Sequence, residues 1–274
     1  MTISVLMSFY SKDDPSRLEA ALSSIWDEQS LTPDEVVLIQ DGNVSKELAQ
    51  VANVFAAQKG DAVKVITLPE NRGLAGALNV GISICKSEYI ARMDADDLSL
   101  PDRFQLQSDF MDNNPSVAVV GGALTEVDPA GNFLRTVHYP LCQDEVLASV
   151  HYRSPLAHPT VFFRKAIFDD GFRYNESLRF SQDLDLWFRL LSTGYEIGNL
   201  PTSIVKFTCG RDFFSRRNRK RAWLEFKIYT SGIYSIYGWS WRLVPPIFRF
   251  CFRLMPSAVA RYFYNSRFRE GFKF

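Results

Sequence analysis

Residues 3–94 alternate between short apolar runs rich in β-branched residues and segments whose apolar residues recur every three or four positions. This alternation narrows the possible folds more than any other feature. The first run, 3–9, gives way after Pro15 to Leu18, Ala21, Leu22, Ile25 and Trp26. The second, 35–39, ends at Gln40, Asp41 and Gly42 and is followed by Leu48, Val51, Ala52 and Phe55. Residues 63–68 form the third, a Gly-rich connection covers 69–76, and a helical pattern over 78–84 leads into a fourth run at Tyr89. Strand and helix repeated in this way call for right-handed βαβ crossovers. An α/β fold is therefore expected, with a mostly parallel central sheet flanked by helices.

The fourth run, YIARMDADDLSLP at 89–101, ends in Asp94, Asp96 and Asp97. Tyr89, Ile90 and Ala91 suit a buried strand, but three carboxylates cannot continue into a dry interior, so the chain must surface here. If the strand stays extended through Asp96, Asp94 and Asp96 share a face and form an oxygen-rich site suited to Mg²⁺ or Mn²⁺. The alternative is a solvated acidic turn capping the next helix, with Asp97 or Ser99 near the cap and Pro101 in its first turn. Tyr10, Asp41, the 71–76 connection and Asp94–Asp97 all follow the carboxyl ends of successive strands, the edge where open α/β sheets bind ligands. Asp41 with Gly42 is either a turn or a carboxylate that accepts from a base N–H or sugar hydroxyls. ENRGLAGALNVG offers glycines and amides to phosphate, yet lacks the G-x-G-x-x-G spacing and the Lys-Ser/Thr of a P-loop, which argues against dinucleotide and ATPase functions. An aspartyl phosphatase would carry its nucleophile after the first strand, where Ser8, Phe9, Tyr10 and Ser11 stand. Metal ligation fits the acidic turn better: a divalent ion there would bridge the phosphoryl oxygens of a nucleoside diphosphate.

Other classes are disfavoured by composition. Cys85, Cys142, Cys209 and Cys251 form no C-x-x-C pair, and the three histidines, His138, His151 and His158, are not spaced as ligand pairs, so structural zinc is not expected. The first residues lack a basic leader and are interrupted by Asp13 and Asp14, so a first strand in a reduced, intracellular protein is expected rather than a signal peptide. The net charge of zero hides an asymmetry: residues 1–209 carry 17 Lys and Arg against 28 Asp and Glu, whereas 210–274 carry 14 against 3.

In the middle of the chain, 102–115 reads as a helix and 117–121 as a strand. Residues 124–135, with Asp128 to Asn132 at the turn, read as a hairpin, followed by a polar helix near 143–150. His158 precedes an apolar strand at 161–164, where a structural histidine is one reading. In RFSQDLDLWFRLLSTG, Leu184, Trp187, Leu190 and Leu191 form one helical stripe. Ser181 suits the N-cap, and Asp183 in the first turn would at least complement the helix dipole.

SVLMSFYSK, VLIQDG, NRGLAGALNVG, MDADD, HPTVFFRK and SQDLDLWFRL occur in one order between residues 4 and 190. Together they resemble family 2 glycosyltransferases with the A-type nucleotide-diphospho-sugar transferase fold, in particular bacterial enzymes of O-antigen, capsule and exopolysaccharide assembly. The resemblance implies that Tyr10 lines the base pocket, Asp41 binds the base and Arg72 approaches the nucleotide. It further implies that Asp94 lies by the ribose and metal, and that Asp96 is the principal ligand of Mn²⁺ or Mg²⁺. Asp97 either orients the donor sugar or caps a helix. Asp183 becomes the base that deprotonates the acceptor hydroxyl, with inversion at the anomeric carbon. His158, Gln182 and Asp185 become acceptor or diphosphate contacts. Ser8 and Ser11 stand where the family commonly has Pro and Asn, and Gln182 where it often has Glu.

The expected organisation is a catalytic domain over 1–210, its nucleotide-sugar half 1–100 and its acceptor half 101–210, followed by a basic aromatic helical extension over 211–274. Arg216, Arg217 and Arg219 would meet the diphosphate of a lipid-linked sugar acceptor, and the extension would lie on the inner face of the cytoplasmic membrane rather than span it. Packing into the core or an oligomer interface is the alternative for the extension. Nucleic acid is not expected as a partner. The donor is a nucleotide-diphospho-sugar, by resemblance UDP-galactose or UDP-glucose. A nucleotidyltransferase or a noncatalytic sugar-nucleotide scaffold stands as the alternative function.

Overall fold

The computed structural model of the protein describes residues 1–209 and 219–254. The first half runs β1 (Ile3–Phe9), α1 (Pro15–Trp26), β2 (Glu35–Gln40), α2 (Lys46–Lys59), β3 (Val63–Thr67), α3 (Gly73–Ile84) and β4 (Tyr89–Asp94). It continues with β5 (Leu98–Ser99), α4 (Arg103–Asn113), β6 (Val117–Val127), β7 (Phe133–Val137), α5 (Gln143–Ser149) and β8 (Phe162–Arg164). The remainder is α6 (Ala166–Asp169), α7 (Gln182–Ser192), β9 (Glu196–Thr208), α8 (Arg219–Tyr237) and α9 (Val244–Leu254).

Among the described residues these strands form one sheet in the order β3-β2-β1-β4-β8-β6-β9-β5, with β7 paired to β6. β3, β2, β1 and β4 are mutually parallel, as the βαβ pattern predicts. β8 enters antiparallel between β4 and β6, and β6 pairs in parallel with β9, so the fold is α/β with a mixed sheet. Side chains alternate across it. Leu6 and Ile90 join Ala77, Leu78 and Trp187 on the face covered by α3 and α7, while Val5, Tyr89 and Ala91 join Leu18, Phe55 and Phe104 on the other.

Several local expectations change. β4 ends at Asp94 and residues 95–96 turn, so the chain is not extended through Asp96. The acidic turn caps no helix: Leu98 and Ser99 pair with Lys206 and Val205 of β9, and α4 starts only at Arg103. α3 starts at Gly73, so the glycines of the 71–81 motif lie mostly within a helix rather than in a phosphate-cradling loop. Gly81 has a packing role, because a Cβ there would stand 2.1 Å from a Leu6 methyl. Strand β9 had no counterpart in the sequence pattern. Pro201 interrupts its alternation, and the pairing with β6 shifts register where Leu200 and Ser203 face Gly122 and Ala123.

The C-terminal helices pack against the body of the protein and also leave apolar residues exposed. On α8, Ala222, Ile228, Tyr229 and Ile233 are buried, and the helix packs on α7. α9 packs back on α8, where Arg253 pairs with the buried Glu225 and the Arg249 guanidinium lies over the Tyr229 ring. Apolar residues are also exposed here: Trp239 at 86%, Trp241 at 65%, and on α9 Val244, Ile247 and Leu254. None of the described helices is long and apolar enough to cross a membrane.

Gly232 sets the closeness of α8 to α7, since a Cβ there would lie 2.1 Å from Cγ and 2.6 Å from Cβ of Phe188. Those atoms are near the backbone and cannot swing away. Gly232→Ala is therefore expected to cost about 2–3 kcal/mol, read from the urea midpoint.

Candidate functional site

The parallel strands deliver their polar residues to one edge. After β1 the chain turns back, the Tyr10 N–H donating to Asp13 Oδ2 at 2.8 Å and the Asp13 N–H to Tyr10 O at 3.1 Å. Asp14 then caps α1 through the N–H groups of Ser16 and Arg17, with Pro15 at the first helical position. Tyr10 is left 40% exposed at the mouth of the site. Asp13 is turned inward: burial pushes its carboxyl up to about 6, and the charges of Asp96 and Asp94 push the same way. The Tyr10 phenol is likewise raised, first by burial and then by Asp13 and Asp96. Asp13 therefore belongs to the acidic cluster, although 80 residues of chain separate it from Asp94.

Asp41, after β2, is buried at 4% exposure. It clamps the next connection, because Oδ1 accepts the Arg72 N–H at 2.7 Å while its carbonyl accepts from Asn71 Nδ2 at 3.1 Å. Gly42 makes the clamp possible: its φ is +82°, and a Cβ would come within 2.7 Å of the Asn71 nitrogen. Gly42→Ala is expected to cost about 1–3 kcal/mol and to open the 71–73 turn, read by thermal unfolding and by amide exchange at Arg72. The Arg72 guanidinium reaches across to Glu176 at 2.8 Å, and Asn79 holds the same carboxylate at 3.0 Å. These two hydrogen bonds keep the Glu176 carboxyl below its ordinary value, Asn79 contributing most. Glu176 joins the edge from the second half of the chain.

At the end of β4 the three aspartates diverge. Asp94 lies on the same face as Arg92, whose guanidinium takes both of its oxygens, one at 2.6 Å and the other through Nη2. Asp97 is fully buried; Oδ1 accepts the Thr208 N–H at 2.9 Å, tying the acidic turn to the end of β9, and Oδ2 has no hydrogen-bond partner. Burial, then the Asp94 charge, holds its carboxyl well above the usual range. Asp97 thus neither caps a helix nor faces outward toward a donor. Asp96 is the exposed member and makes no ion pair with the described residues. Desolvation and the Asp94 charge still raise its carboxyl, so the two remain neighbours despite the turn.

On the facing side, α7 begins at a residue in the left-handed region. Ser181 occupies the N-cap position as expected, with φ 59° and ψ 26°, but its hydroxyl makes no capping bond. The half-buried Asp183 occupies the first turn of this helix, with its carboxyl raised by burial; the Leu184 N–H, then Arg92 and Arg221, partly offset the shift. Gln182 is buried, and its Oε1 has no hydrogen-bond partner. Asp185 turns to Arg189 at 2.9 Å, which makes it a helix-stabilising contact. His158 sits in a turn before β8, with Nε2 2.8 Å from the Tyr174 hydroxyl and its ring against Trp187. Burial and then Arg92 hold it well below its ordinary value, so it is neutral at pH 7. Arg219 is exposed at the start of α8, while Arg216 and Arg217 lie outside the described residues.

Among the described residues, no group of three or more His, Cys, Asp or Glu side chains is arranged to hold a metal ion. What stands at the edge is the exposed carboxylate of Asp96, with Asp94 beside it and held by Arg92. Mg²⁺ or Mn²⁺ uses such a carboxylate when substrate phosphates and water supply the other ligands.

The sequence pattern of glycosyl transferase family 2 matches residues 4–172, and that of glycosyl transferase family group 2 matches 89–268. The chain belongs to glycosyl transferase family 2. Among curated relatives of this family it is 36% identical to the amylovoran biosynthesis glycosyltransferase AmsE of Erwinia amylovora, over 82% of this chain and 81% of that one. It is 31% identical to the UDP-Gal:alpha-D-GlcNAc-diphosphoundecaprenol beta-1,3-galactosyltransferase of Escherichia coli, over 97% and 96%. In fold, it resembles S. aureus TarS 1-349 in complex with UDP, with TM-score 0.66 and 18% identity over 98% of this chain and 74% of that one. It also resembles the mannosyltransferase PcManGT of Pyrobaculum calidifontis in complex with GDP-Man and Mn2+, with TM-score 0.63 and 17% identity over 90% and 73%.

Proposed function

We propose that the protein is an inverting, divalent-cation-dependent hexosyltransferase of surface-polysaccharide assembly. Its donor is a nucleotide-diphospho-sugar, UDP-galactose or UDP-glucose, and its acceptor is a sugar carried on undecaprenyl diphosphate. The observation that carries this reading is the presence of two separate carboxylate stations, Asp94 with Asp96 after β4 and Asp183 in the first turn of α7, both within the field of the buried Arg92. The galactosyltransferase relative supports the donor and the lipid-diphosphate acceptor, and the β linkage in its name is what inversion of an α-linked donor produces.

In this reading, Tyr10 flanks the base, while Asp41 and Arg72 form the wall on which the nucleotide rests. Mn²⁺ or Mg²⁺, held by Asp96 with Asp94 beside it, would neutralise the charge that gathers on the nucleoside diphosphate as it leaves. Asp183 accepts the proton of the acceptor hydroxyl as that oxygen attacks the anomeric carbon from the opposite side. Its raised pKa suits a base that works near neutrality. Residues 1–210 act as the catalytic domain, and Arg219, with the preceding Arg216 and Arg217, meets the acceptor diphosphate. The exposed apolar surface of Trp239, Trp241 and α9, within a strongly basic extension, rests on the inner face of the cytoplasmic membrane.

The test is a panel of UDP- and GDP-sugars with Mn²⁺ and a lipid-diphosphate-GlcNAc analogue. Transfer with a β linkage, abolished by EDTA and restored by Mn²⁺, is expected. A product of retained configuration would overturn inversion, and nucleotide binding without transfer or donor hydrolysis would overturn catalysis.

A further inference from the structure

The alternation of a strand places Ile90, Arg92 and Asp94 on one face of β4, the face covered by α3 and α7. Arg92 is only 2% exposed, a costly place for a guanidinium without a reason to be there. Its two terminal nitrogens both go to Asp94. Its backbone is fixed on both sides, the N–H donating to Val161 O at 3.0 Å and the carbonyl accepting from Arg103 Nη2 at 2.8 Å. Its Nε has no hydrogen-bond partner. Asp96, two residues beyond Asp94, makes no direct ion pair among the described residues, Arg17 and Arg92 acting on it only through their charge.

We infer that Arg92 is a positioning residue that divides the work of the two aspartates: it locks and neutralises Asp94, so that Asp96 is the carboxylate left with charge to hold a cation. A bidentate guanidinium fixes the plane of the Asp94 carboxylate as no lysine can. With that charge compensated, Asp94 faces the donor as an oriented acceptor for hydroxyls, and the site does not become a tight chelator in the absence of nucleotide. The inference rests on the proposed donor site. It adds that the buried cation acts against metal affinity and in favour of nucleotide placement.

The opposite signs of those two effects make the test decisive. Mn²⁺ binding to the nucleotide-free protein is followed by electron paramagnetic resonance, and UDP binding in saturating Mn²⁺ by calorimetry, for wild type, Arg92→Gln, Arg92→Lys and Arg92→Gln/Asp94→Asn. Arg92→Gln is expected to bind Mn²⁺ about tenfold more tightly than wild type, because the Asp94 charge beside Asp96 is then uncompensated, and the double variant is expected to return to the wild-type value. Arg92→Lys keeps the charge, so Mn²⁺ affinity stays near wild type while UDP binds about fivefold more weakly through loss of the fork. If a folded Arg92→Gln binds Mn²⁺ no more tightly than wild type, or Arg92→Lys binds UDP as wild type does, the inference is overturned. Should Arg92→Gln not fold, the lysine variant decides alone. Asp96→Asn serves as the control for the underlying site: if it binds Mn²⁺ like wild type, the metal reading fails rather than the role of Arg92.

Discussion

Asp183→Asn is expected to lower kcat by about 10²–10⁴ while donor affinity stays near the wild-type value. Asparagine keeps the shape of the side chain and its place in the first turn of α7, so the helix and its contact with α8 persist, but it cannot accept a proton. A fall in kcat with unchanged UDP affinity is therefore the signature of a base, whereas equal loss of both would point to a collapsed site. The pH profile adds a second check. Burial raises the Asp183 pKa, so the ionised, active form is lost as pH falls through a value higher than that of an exposed aspartate. The acid limb of kcat should lie correspondingly high in wild type and vanish in the residual activity of Asp183→Asn. Undiminished turnover by the variant would remove Asp183 from the mechanism.

Asp96→Asn is expected to reduce kcat/KM by about 10²–10³ and to weaken Mn²⁺ binding measured directly. The size follows from the division at the end of β4. Asp97 is buried against Thr208 and Asp94 is occupied by Arg92, so neither can replace the lost carboxylate. Asp97→Asn, by contrast, should leave Mn²⁺ affinity nearly unchanged. It should instead stabilise the fold at neutral pH, because a carboxyl whose pKa is raised on folding contributes stability that is lost as pH rises through that value. Measuring Mn²⁺ affinity and the melting temperature on both variants separates the two neighbours.

The sequence made the βαβ half and the edge of the sheet legible, because period-two and period-3.6 patterns are local and the polar residues fall at strand ends. Tyr10, Asp41 and Asp94 were visible for that reason. Asp13 and Glu176 were not: Asp13 reads as a turn residue until β1 and β4 lie side by side, and Glu176 reaches Asn79 and Arg72 only through the packing of the second half on α3. Arg92 sits in plain view within YIARMDADD, but a lone arginine in an apolar run looks like an interruption, and only the sheet shows that its partner is the aspartate on the same face. The single signal available was its spacing of two from Asp94. The shared face assumed for Asp94 and Asp96 required an extended chain, whereas the turn at 95–96 leaves them coupled only through charge.

The pairing of β6 has a consequence for biosynthesis. Val117–Val127 is a long apolar strand whose neighbours in the finished sheet, β8 and β9, are both translated after it. At elongation rates of about 5–20 residues per second, the stretch from Val127 to Thr208 takes roughly 4–16 s to make. Throughout that interval the nascent chain presents an unpaired edge, shielded on one side only by the later hairpin strand β7. Ribosome-associated chaperones should engage the chain in this window, and truncation before Thr208 should yield insoluble material even with the residues of the acidic turn intact.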